Sequence, residues 1–120
     1  MTRIKKMNGM IFAMFDGKYI KNINGQFLYY IEGDYLKEIT GIYKYRYDGE
    51  YIREMTGFTR YKFDGTTFRD FSTSFVMYYF KGNMITDFYG RMLYQIDGEL
   101  TKIEKAFLLT LLTPGLHGLA

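Results

Sequence analysis

The chain contains no cysteine, no tryptophan, a single proline and a single histidine. Without cysteine it can form neither a disulfide framework nor a thiolate site, which fits a reducing compartment. His117 lies in a glycine-rich tail, so a histidine-based metal cluster or catalytic triad has no support.

Long apolar runs are also absent. The longest apolar block, residues 106–112, is far shorter than the roughly 20 residues of a transmembrane helix. No apolar stretch of sufficient length follows the basic start of the chain, so no secretory signal is expected. We therefore expect a cytoplasmic protein without a transmembrane segment.

The composition indicates one folded domain. The 120 residues are 48% hydrophobic and 20% aromatic, and the 13 tyrosines and 11 phenylalanines favour β-sheet. The formal net charge of +3 is only mildly basic, so it permits an anionic partner without requiring one.

Glycine recurs at every eighth residue, with one slip of a single residue before Gly82. Acid–Gly turns alternate with turns that are mostly Asn–Gly or Thr–Gly, so the repeating unit has about 16 residues, which is two short strands and two tight turns. The glycines are Gly9, Gly17, Gly25, Gly33, Gly41, Gly49, Gly57, Gly65, Gly82, Gly90 and Gly98.

Each half of the unit has its own apolar spacing. In the first half, apolar residues stand two and four positions before the acid–Gly glycine, as Phe63 and Tyr61 do, which places one strand face in a core. In the second half they stand three apart, as Ile52 and Met55 do. We interpret this spacing as a strand with a β-bulge at the intervening basic–acidic pair.

The two ends of the repeat array are complementary. Residues 4–9 match the second half of a unit, and residues 91–98 match a first half. Pairing Arg3–Met7 with Arg91–Ile96 would complete a sixth unit and remove both exposed strand edges. The sequence therefore predicts an all-β domain over residues 1–98, with six hairpin repeats and about 12 short antiparallel strands closed into a ring or barrel.

A single helix is predicted after the repeats, within residues 99–113. Thr101 and Glu104 form a capping-box pattern, an apolar stretch follows, and Pro114 and Gly115 end it. Residues 114–120 are predicted to be a tail.

The other strand face predicts where this helix packs. Residues three and five before each acid–Gly glycine are mostly apolar in four adjacent units. A small soluble protein seldom leaves so large an apolar surface exposed to solvent, so we expect another element to pack on it. The cover is either the helix or a second subunit, and in a wide barrel the helix could instead fill the lumen. The predicted arc consists of Phe12, Met14, Leu28, Tyr30, Met77, Tyr79 and Leu93.

The same positions in the remaining two units are basic. Together with one neighbouring arginine they resemble a face for nucleic acid or anionic lipid, although strands also carry cations for solubility alone. The candidate polyanion-binding residues are Lys44, Arg46, Arg53, Arg60 and Lys62.

No residue pattern predicts catalysis, a metal site or a cofactor. Asp–Gly is the sequence of a type I′ hairpin turn, and this reading of the repeated aspartates outweighs calcium binding or acid–base catalysis. The column of tyrosines four before each acid–Gly glycine is interpreted as core with hydroxyls at a wet rim, although such rings also stack on bases or sugars. We expect a protein that is not an enzyme.

The unit Ile42-Tyr-Lys-Tyr-Arg-Tyr-Asp-Gly-Glu-Tyr-Ile-Arg-Glu-Met-Thr-Gly57 resembles those of the bacterial beta-flower hairpin-repeat proteins. It is similar, more loosely, to the Tyr–Asp repeats of large bacterial surface proteins. A closed ring of 12 strands with an apolar C-terminal helix resembles the tubby and scramblase-like barrels. These resemblances imply a bacterial origin and a hairpin-repeat fold, and no functional residues carry over.

We expect a non-enzymatic binding or protein-interaction module, with a protein partner or self-association, for example as a homodimer. The alternative is binding of nucleic acid or anionic lipid through the basic positions.

Overall fold

A computed structural model of the chain describes residues 1–113. It is an all-β closed barrel of antiparallel strands with one short C-terminal helix, as the sequence predicts. The elements are β1 Thr2–Lys6, β2 Ile11–Asp16, β3 Tyr19–Asn22, β4 Phe27–Glu32, β5 Tyr35–Glu38, β6 Tyr43–Tyr47, β7 Tyr51–Glu54, β8 Thr59–Phe63, β9 Thr67–Asp70, β10 Val76–Lys81, β11 Met84–Thr86, β12 Met92–Asp97 and α1 Lys102–Leu112.

The barrel closes between its first and last strands. β1 pairs antiparallel with β12, with Arg3 opposite Asp97 and Lys6 opposite Tyr94. Every other strand pairs with its neighbours in sequence. The predicted closure is therefore confirmed, and no strand within residues 1–113 is left with an unpaired edge.

The acid–Gly turns that join two strands are two-residue hairpin loops at one end of the barrel, whereas Asp97–Gly98 leads from β12 to the helix. Asp16 pairs with Tyr19, which leaves Gly17 and Lys18 as the central residues. Gly17 has a φ of +62°, whereas Lys18 is not among the residues with positive φ. In a type II′ turn only the first central residue has positive φ, and that residue is usually glycine, as here. The expected type I′ turn, in which both central residues have positive φ, is therefore wrong.

The loops at the other end are longer. In the first of them the Gly9 N–H donates to the Lys6 carbonyl at 2.9 Å, and the Lys6 N–H donates to the Met10 carbonyl at 2.8 Å. Between β9 and β10 the loop gains one residue, and Ser74 takes the left-handed conformation with a φ of +61°. This insertion accounts for the slip in the glycine spacing.

A β-bulge is present in each repeat, but in the other strand from the one predicted. Ile4 pairs with Ala13 and the next residue, Lys5, pairs with Ile11, so Phe12 is the extra residue. The same shift recurs at every equivalent pairing, always in the first half of the unit. The bulge residues are Phe12, Leu28, Lys44, Arg60, Met77 and Leu93.

The lumen is filled by side chains from alternate strand positions. Residues two before the acid–Gly glycine, such as Phe63 and Phe80, are buried, and so are cross-strand partners such as Phe68 and Ile85. Each strand without a bulge contains only the first of the two apolar residues that stand three apart in the sequence. This first residue, for example Ile52, lies in the lumen, and the strand ends before the second.

The helix lies inside this lumen. Residues 106–112 are all 2% exposed or less, whereas a helix on a surface leaves one side in solvent. The Phe107 ring lies 6.4 Å from that of Tyr47, and the Tyr78 hydroxyl donates to the Leu112 carbonyl at 3.3 Å. The helix therefore does not pack on the predicted outer arc. A ring of this many strands encloses more space than wall side chains fill, and the helix occupies it.

The start of the helix is fixed at the end of the barrel that carries the acid–Gly turns. The Glu104 N–H donates to the Thr101 hydroxyl at 3.3 Å, and the Thr101 N–H donates to the Glu104 carboxylate at 2.7 Å, so the predicted capping box is present. Lys102 Nζ donates to the Gly49 carbonyl at 2.9 Å. Since Leu112 lies beside Tyr78, the helix runs from this end of the barrel towards the other.

Candidate functional site

Large apolar side chains are exposed almost entirely at one end of the barrel. Except for Met1, every exposed large apolar residue among residues 1–113 lies in or beside the loops that join β1 to β2, β3 to β4, β5 to β6, β7 to β8, β9 to β10 and β11 to β12. We call this set the crown: Met7, Met10, Ile23, Phe27, Ile39, Ile42, Tyr43, Met55, Phe58, Phe71, Phe75, Phe88, Tyr89 and Met92.

The crown exists because the apolar residues of the second half-unit have no place inside. The apolar spacing of the sequence predicts residues such as Ile39 and Met55 in the core, by way of a bulge in the strands that precede them. These strands carry no bulge and end one residue earlier, so both side chains stand in the loops and are exposed. The signal was in the sequence: Ile39 and Ile42 flank one Thr–Gly pair, and Met55 and Phe58 flank the next.

The crown loops are held in place by side-chain caps. Asn8 Oδ1 accepts from the Met10 N–H at 3.0 Å, and Asp87 Oδ1 accepts from the N–H groups of Tyr89 and Arg91 at 2.9 Å each. Within the loops Asp87 and Arg91 are the two charged residues, and their side chains form an ion pair at 2.9 Å. The crown is therefore a preorganised surface that is almost free of charge.

Tyrosines line the mouth of the barrel below the crown. Burial raises the pKa of Tyr45 and of Tyr78 to about 12, and it also raises the pKa of Tyr29 and Tyr94. Their hydroxyls therefore stay protonated at neutral pH. The fifth member of this column is Tyr61, which is buried as the sequence interpretation expects.

Carboxylates stand directly across from these tyrosines and are neutralised. Glu54 pairs with Tyr45, and cross-strand partners project to the same face of a sheet. The Glu54 carboxylate lies 3.4 Å from the Arg60 guanidinium. In the preceding unit, the Glu38 carboxylate lies 3.5 Å from Lys44 Nζ. The mouth therefore combines protonated tyrosine hydroxyls with carboxylates that are paired with cations.

These contacts divide the predicted polyanion-binding set between two sides of the wall. Lys44 and Arg60 are bulge residues, and they turn to the mouth, where they pair with Glu38 and Glu54. Arg46, Arg53 and Lys62 lie on the outer wall. The five residues therefore do not share one face, because the bulge lies in the strand that was expected to be regular.

On the outer wall, cations face each other across the strands. Arg46 stands directly opposite Arg53, and Lys62 directly opposite Arg69. Of these, Arg53 pairs with Asp48, and Lys62 lies 3.5 Å from the Glu50 carboxylate. We call Arg46, Arg53, Lys62 and Arg69 the cationic wall. Arg69 was not among the residues predicted from the sequence.

Aromatic rings connect the cationic wall to the crown. The Arg53 guanidinium lies 5.1 Å from the centre of the Tyr51 ring, and Lys62 Nζ lies 5.9 Å from it. The Tyr51 ring in turn lies 5.7 Å from that of Phe71, a crown residue. The two surfaces are therefore continuous.

The predicted apolar arc is divided in the same way. Phe12, Leu28, Met77 and Leu93 are bulge residues that pack against the core, and the Phe12 ring lies 5.3 Å from that of Tyr94. Met14, Tyr30 and Tyr79 lie on the outer wall, opposite Lys21, Lys37 and Thr67 or Thr86 respectively. The arc is not one surface, and only its bulge residues pack against the core cluster that includes the helix.

Three of the cavities formed by residues 1–113 adjoin the crown. One, of about 700 Å³, is open and lies between the mouth and the loop joining β9 to β10, with Phe75 and Tyr78 among its walls. A second, of about 210 Å³, lies beside the loop joining β5 to β6, with Tyr29 and Ile39 among its walls. A third, of about 150 Å³, lies on the outer wall beside Phe71.

Within residues 1–113 no group of three or more His, Asp or Glu side chains is placed to hold a metal ion, and no helix is long and apolar enough to cross a membrane. His117 and the predicted tail lie outside the described residues.

Comparison with protein-family models, curated proteins and solved structures gave no match. The resemblance to the beta-flower proteins therefore stays a prediction, and the candidate site consists of the crown, the mouth and the cationic wall.

Proposed function

We propose that this protein is a non-enzymatic binding module that engages its partner through the crown. The observation that carries the proposal is the position of the exposed apolar side chains, which come from all six loops at one end of the barrel. An exposed apolar surface of this extent is typical of an interaction site.

The magnitude supports specific association. Full burial of one such side chain contributes about 1.5–3 kcal/mol, and crown residues such as Ile42 and Phe58 are 59% and 57% exposed. Each therefore offers about 1 kcal/mol or more on binding, so burial of the whole crown would contribute about 14 kcal/mol or more, which is comparable with the roughly 4–15 kcal/mol lost on association. The closed barrel and capped loops keep the further cost of ordering small.

A second candidate function is binding of an anionic partner through the cationic wall. Like charges directly opposite on neighbouring strands are destabilising, and here two such pairs lie side by side. Asp48 and Glu50 offset part of the repulsion, because they pair with Arg53 and Lys62. Binding of a polyanion would offset that repulsion, and affinity would then fall steeply with salt.

The crown proposal is tested with the double variant Ile42→Ser/Phe58→Ser. Both side chains point into solvent in adjacent loops, so the fold should not change. In extracts of the source cell we expect the parent protein to sediment with a larger complex or with membranes, and the variant to run alone at 14.3 kDa. A parent protein that also runs alone would contradict the proposal. The matched control is Tyr79→Ser on the outer wall, which should behave as the parent.

A further inference from the structure

One carboxylate at the mouth of the barrel lacks the cation that its equivalents have. The residue that precedes the crown loop is acidic in four of the repeats, and in three of these its carboxylate forms an ion pair. The three ion pairs are Glu38–Lys44, Glu54–Arg60 and Asp87–Arg91. The fourth acidic residue, Asp70, has no cation partner among residues 1–113.

The preceding repeat shows how a cation is bound at this position. The Arg60 guanidinium lies 3.4 Å from the Glu54 carboxylate and 5.9 Å from the centre of the Phe58 ring. A carboxylate beside a cation forms a charge-assisted hydrogen bond, and the face of an aromatic ring attracts the cation as well. One bulge residue therefore satisfies a carboxylate and a ring together.

The next repeat has the carboxylate and the ring without the cation. Asp70 takes the position of Glu54. Phe75 takes that of Phe58, since in both repeats the N–H of the acidic residue donates to the carbonyl of the aromatic one at 2.9 Å. The bulge residue, however, is Met77, which carries no charge. Among residues 1–113 no cation lies over the Phe75 ring.

The open cavity beside the loop joining β9 to β10 contains all three of these residues. Asp70, Phe75 and Met77 line it together with Tyr78, and its volume is about 700 Å³. This volume lies within the roughly 300–1,000 Å³ of small-molecule sites. The loop is also the one with an extra residue, where Ser74 has a φ of +61°. Such backbone conformations cluster at functional sites.

The Asp70 carboxylate is charged and held in position. Its Oδ2 accepts from the Ser72 hydroxyl at 2.8 Å, and from the N–H and the hydroxyl of Thr73 at 3.0 and 2.9 Å. The bond from the Ser72 side chain, with those from Thr73, holds the pKa of Asp70 below its usual range. Oδ1 accepts none of these three bonds. Arg69, the preceding residue, lies on the outer wall, where its guanidinium donates to the Ser74 carbonyl at 3.2 Å.

We propose that this cavity binds a small organic cation, which carries a guanidinium or ammonium group on an apolar body. The charged group pairs with Asp70 and lies over Phe75, and the apolar body packs against Met77 and Tyr78. The ligand thereby takes the place that Arg60 has in the preceding repeat. The inference goes beyond the proposed function, because the site lies within one chain and needs no partner on the crown.

The test compares two probes of nearly the same shape, phenethylguanidine, which is a cation, and phenethylurea, which is neutral. Both are titrated against the protein by ligand-observed NMR. We expect a dissociation constant of about a millimolar for the guanidine and binding about tenfold weaker for the urea. In protein labelled with ¹³C at the methionine methyl groups, the Met77 signal should shift with the guanidine.

Three variants separate the roles of the residues. Asp70→Asn keeps an oxygen for the loop hydrogen bonds but removes the charge, so it should weaken guanidine binding about tenfold. The matched control Glu54→Gln removes a carboxylate that is already paired with Arg60, and it should change affinity by less than about threefold. Met77→Arg places a cation where the preceding repeat has one, so it should abolish binding and leave the melting temperature at least as high.

Four results would overturn the inference: no binding of the guanidine, equal binding of the urea, unchanged binding by Met77→Arg, or equal weakening by Asp70→Asn and Glu54→Gln. Ile42→Ser/Phe58→Ser should bind the guanidine as the parent does, because both side chains lie in other loops.

The extract experiment separates this inference from the proposed function. If the guanidine fails to bind while the crown variant still loses its partner in cell extracts, the proposed function stands and the ligand site is wrong. If Met77→Arg loses the partner in extracts as well, the cation is a side chain of that partner, and the assignment to a small molecule is wrong.

Discussion

Replacing Phe107 by alanine tests whether the helix supports the barrel from inside. The side chain is 0% exposed and lies edge-on to the Tyr47 ring in the lumen. Phe-to-Ala changes in cores cost about 3–5 kcal/mol, and the cost is highest where the surroundings cannot close the gap. A wall joined by hydrogen bonds around its full circumference cannot move inward, so we expect a loss of about 4 kcal/mol. Domains of this size have about 5–15 kcal/mol in total.

The measurement is equilibrium unfolding in urea, followed by tyrosine fluorescence and by circular dichroism. The matched control is Tyr89→Ala, which also removes an aromatic ring but from a side chain that is 84% exposed. This control should change the free energy of unfolding by less than about 0.5 kcal/mol. A loss below about 1 kcal/mol for Phe107→Ala, or a chain ending at Gly98 that stays monomeric and equally stable, would refute a supporting helix.

Three further outcomes follow from the structure. Thr101→Ala should lower the free energy of unfolding by about 1 kcal/mol through loss of the helix cap, measured in the same urea experiment. Burial raises the pKa of Tyr45, Tyr47 and Tyr78 to about 12 from an ordinary 10.0. The folded protein therefore keeps protons that the unfolded chain loses, so stability should fall between about pH 10 and 12, by about 1.4 kcal/mol per pH unit for each tyrosine, and a flat profile would contradict this. Deleting residues 1–8 should expose the edges of β2 and β12 and cause aggregation detectable by light scattering, whereas a clear monomeric solution would count against the need for closure.

The closure of the barrel and the helix cap could be predicted from the sequence, because in each case the residues involved have only one matching partner. The half unit at residues 4–9 has no partner other than the complementary half at residues 91–98. Thr101 and Glu104 stand at the spacing at which each caps the backbone of the other.

The position of the bulge was not predictable from spacing alone. Apolar residues three apart, such as Ile52 and Met55, show that one strand face is interrupted, but either the strand carries the extra residue or it ends early. The structure has the second arrangement, with the extra residue at Arg60 on the partner strand. A bulge predicted in the wrong strand places the bulge residues on the wrong side of the barrel wall. The predicted positions of the cationic set, of the apolar arc and of the surface that contacts the helix were therefore wrong. It also concealed the crown.

The helix in the lumen has a consequence for the number of repeats. An open repeat array tolerates one more unit, because each unit contacts only its neighbours. In this barrel another unit would add two strands of about 4.8 Å each to the circumference, and so about 1.5 Å to the radius. A gap of 0.5–1 Å already forfeits a quarter to a half of a contact's attraction, so a seventh unit would leave the helix loose. A missing unit would leave it no room. The helix therefore selects an array of six units, although it lies outside the repeats themselves.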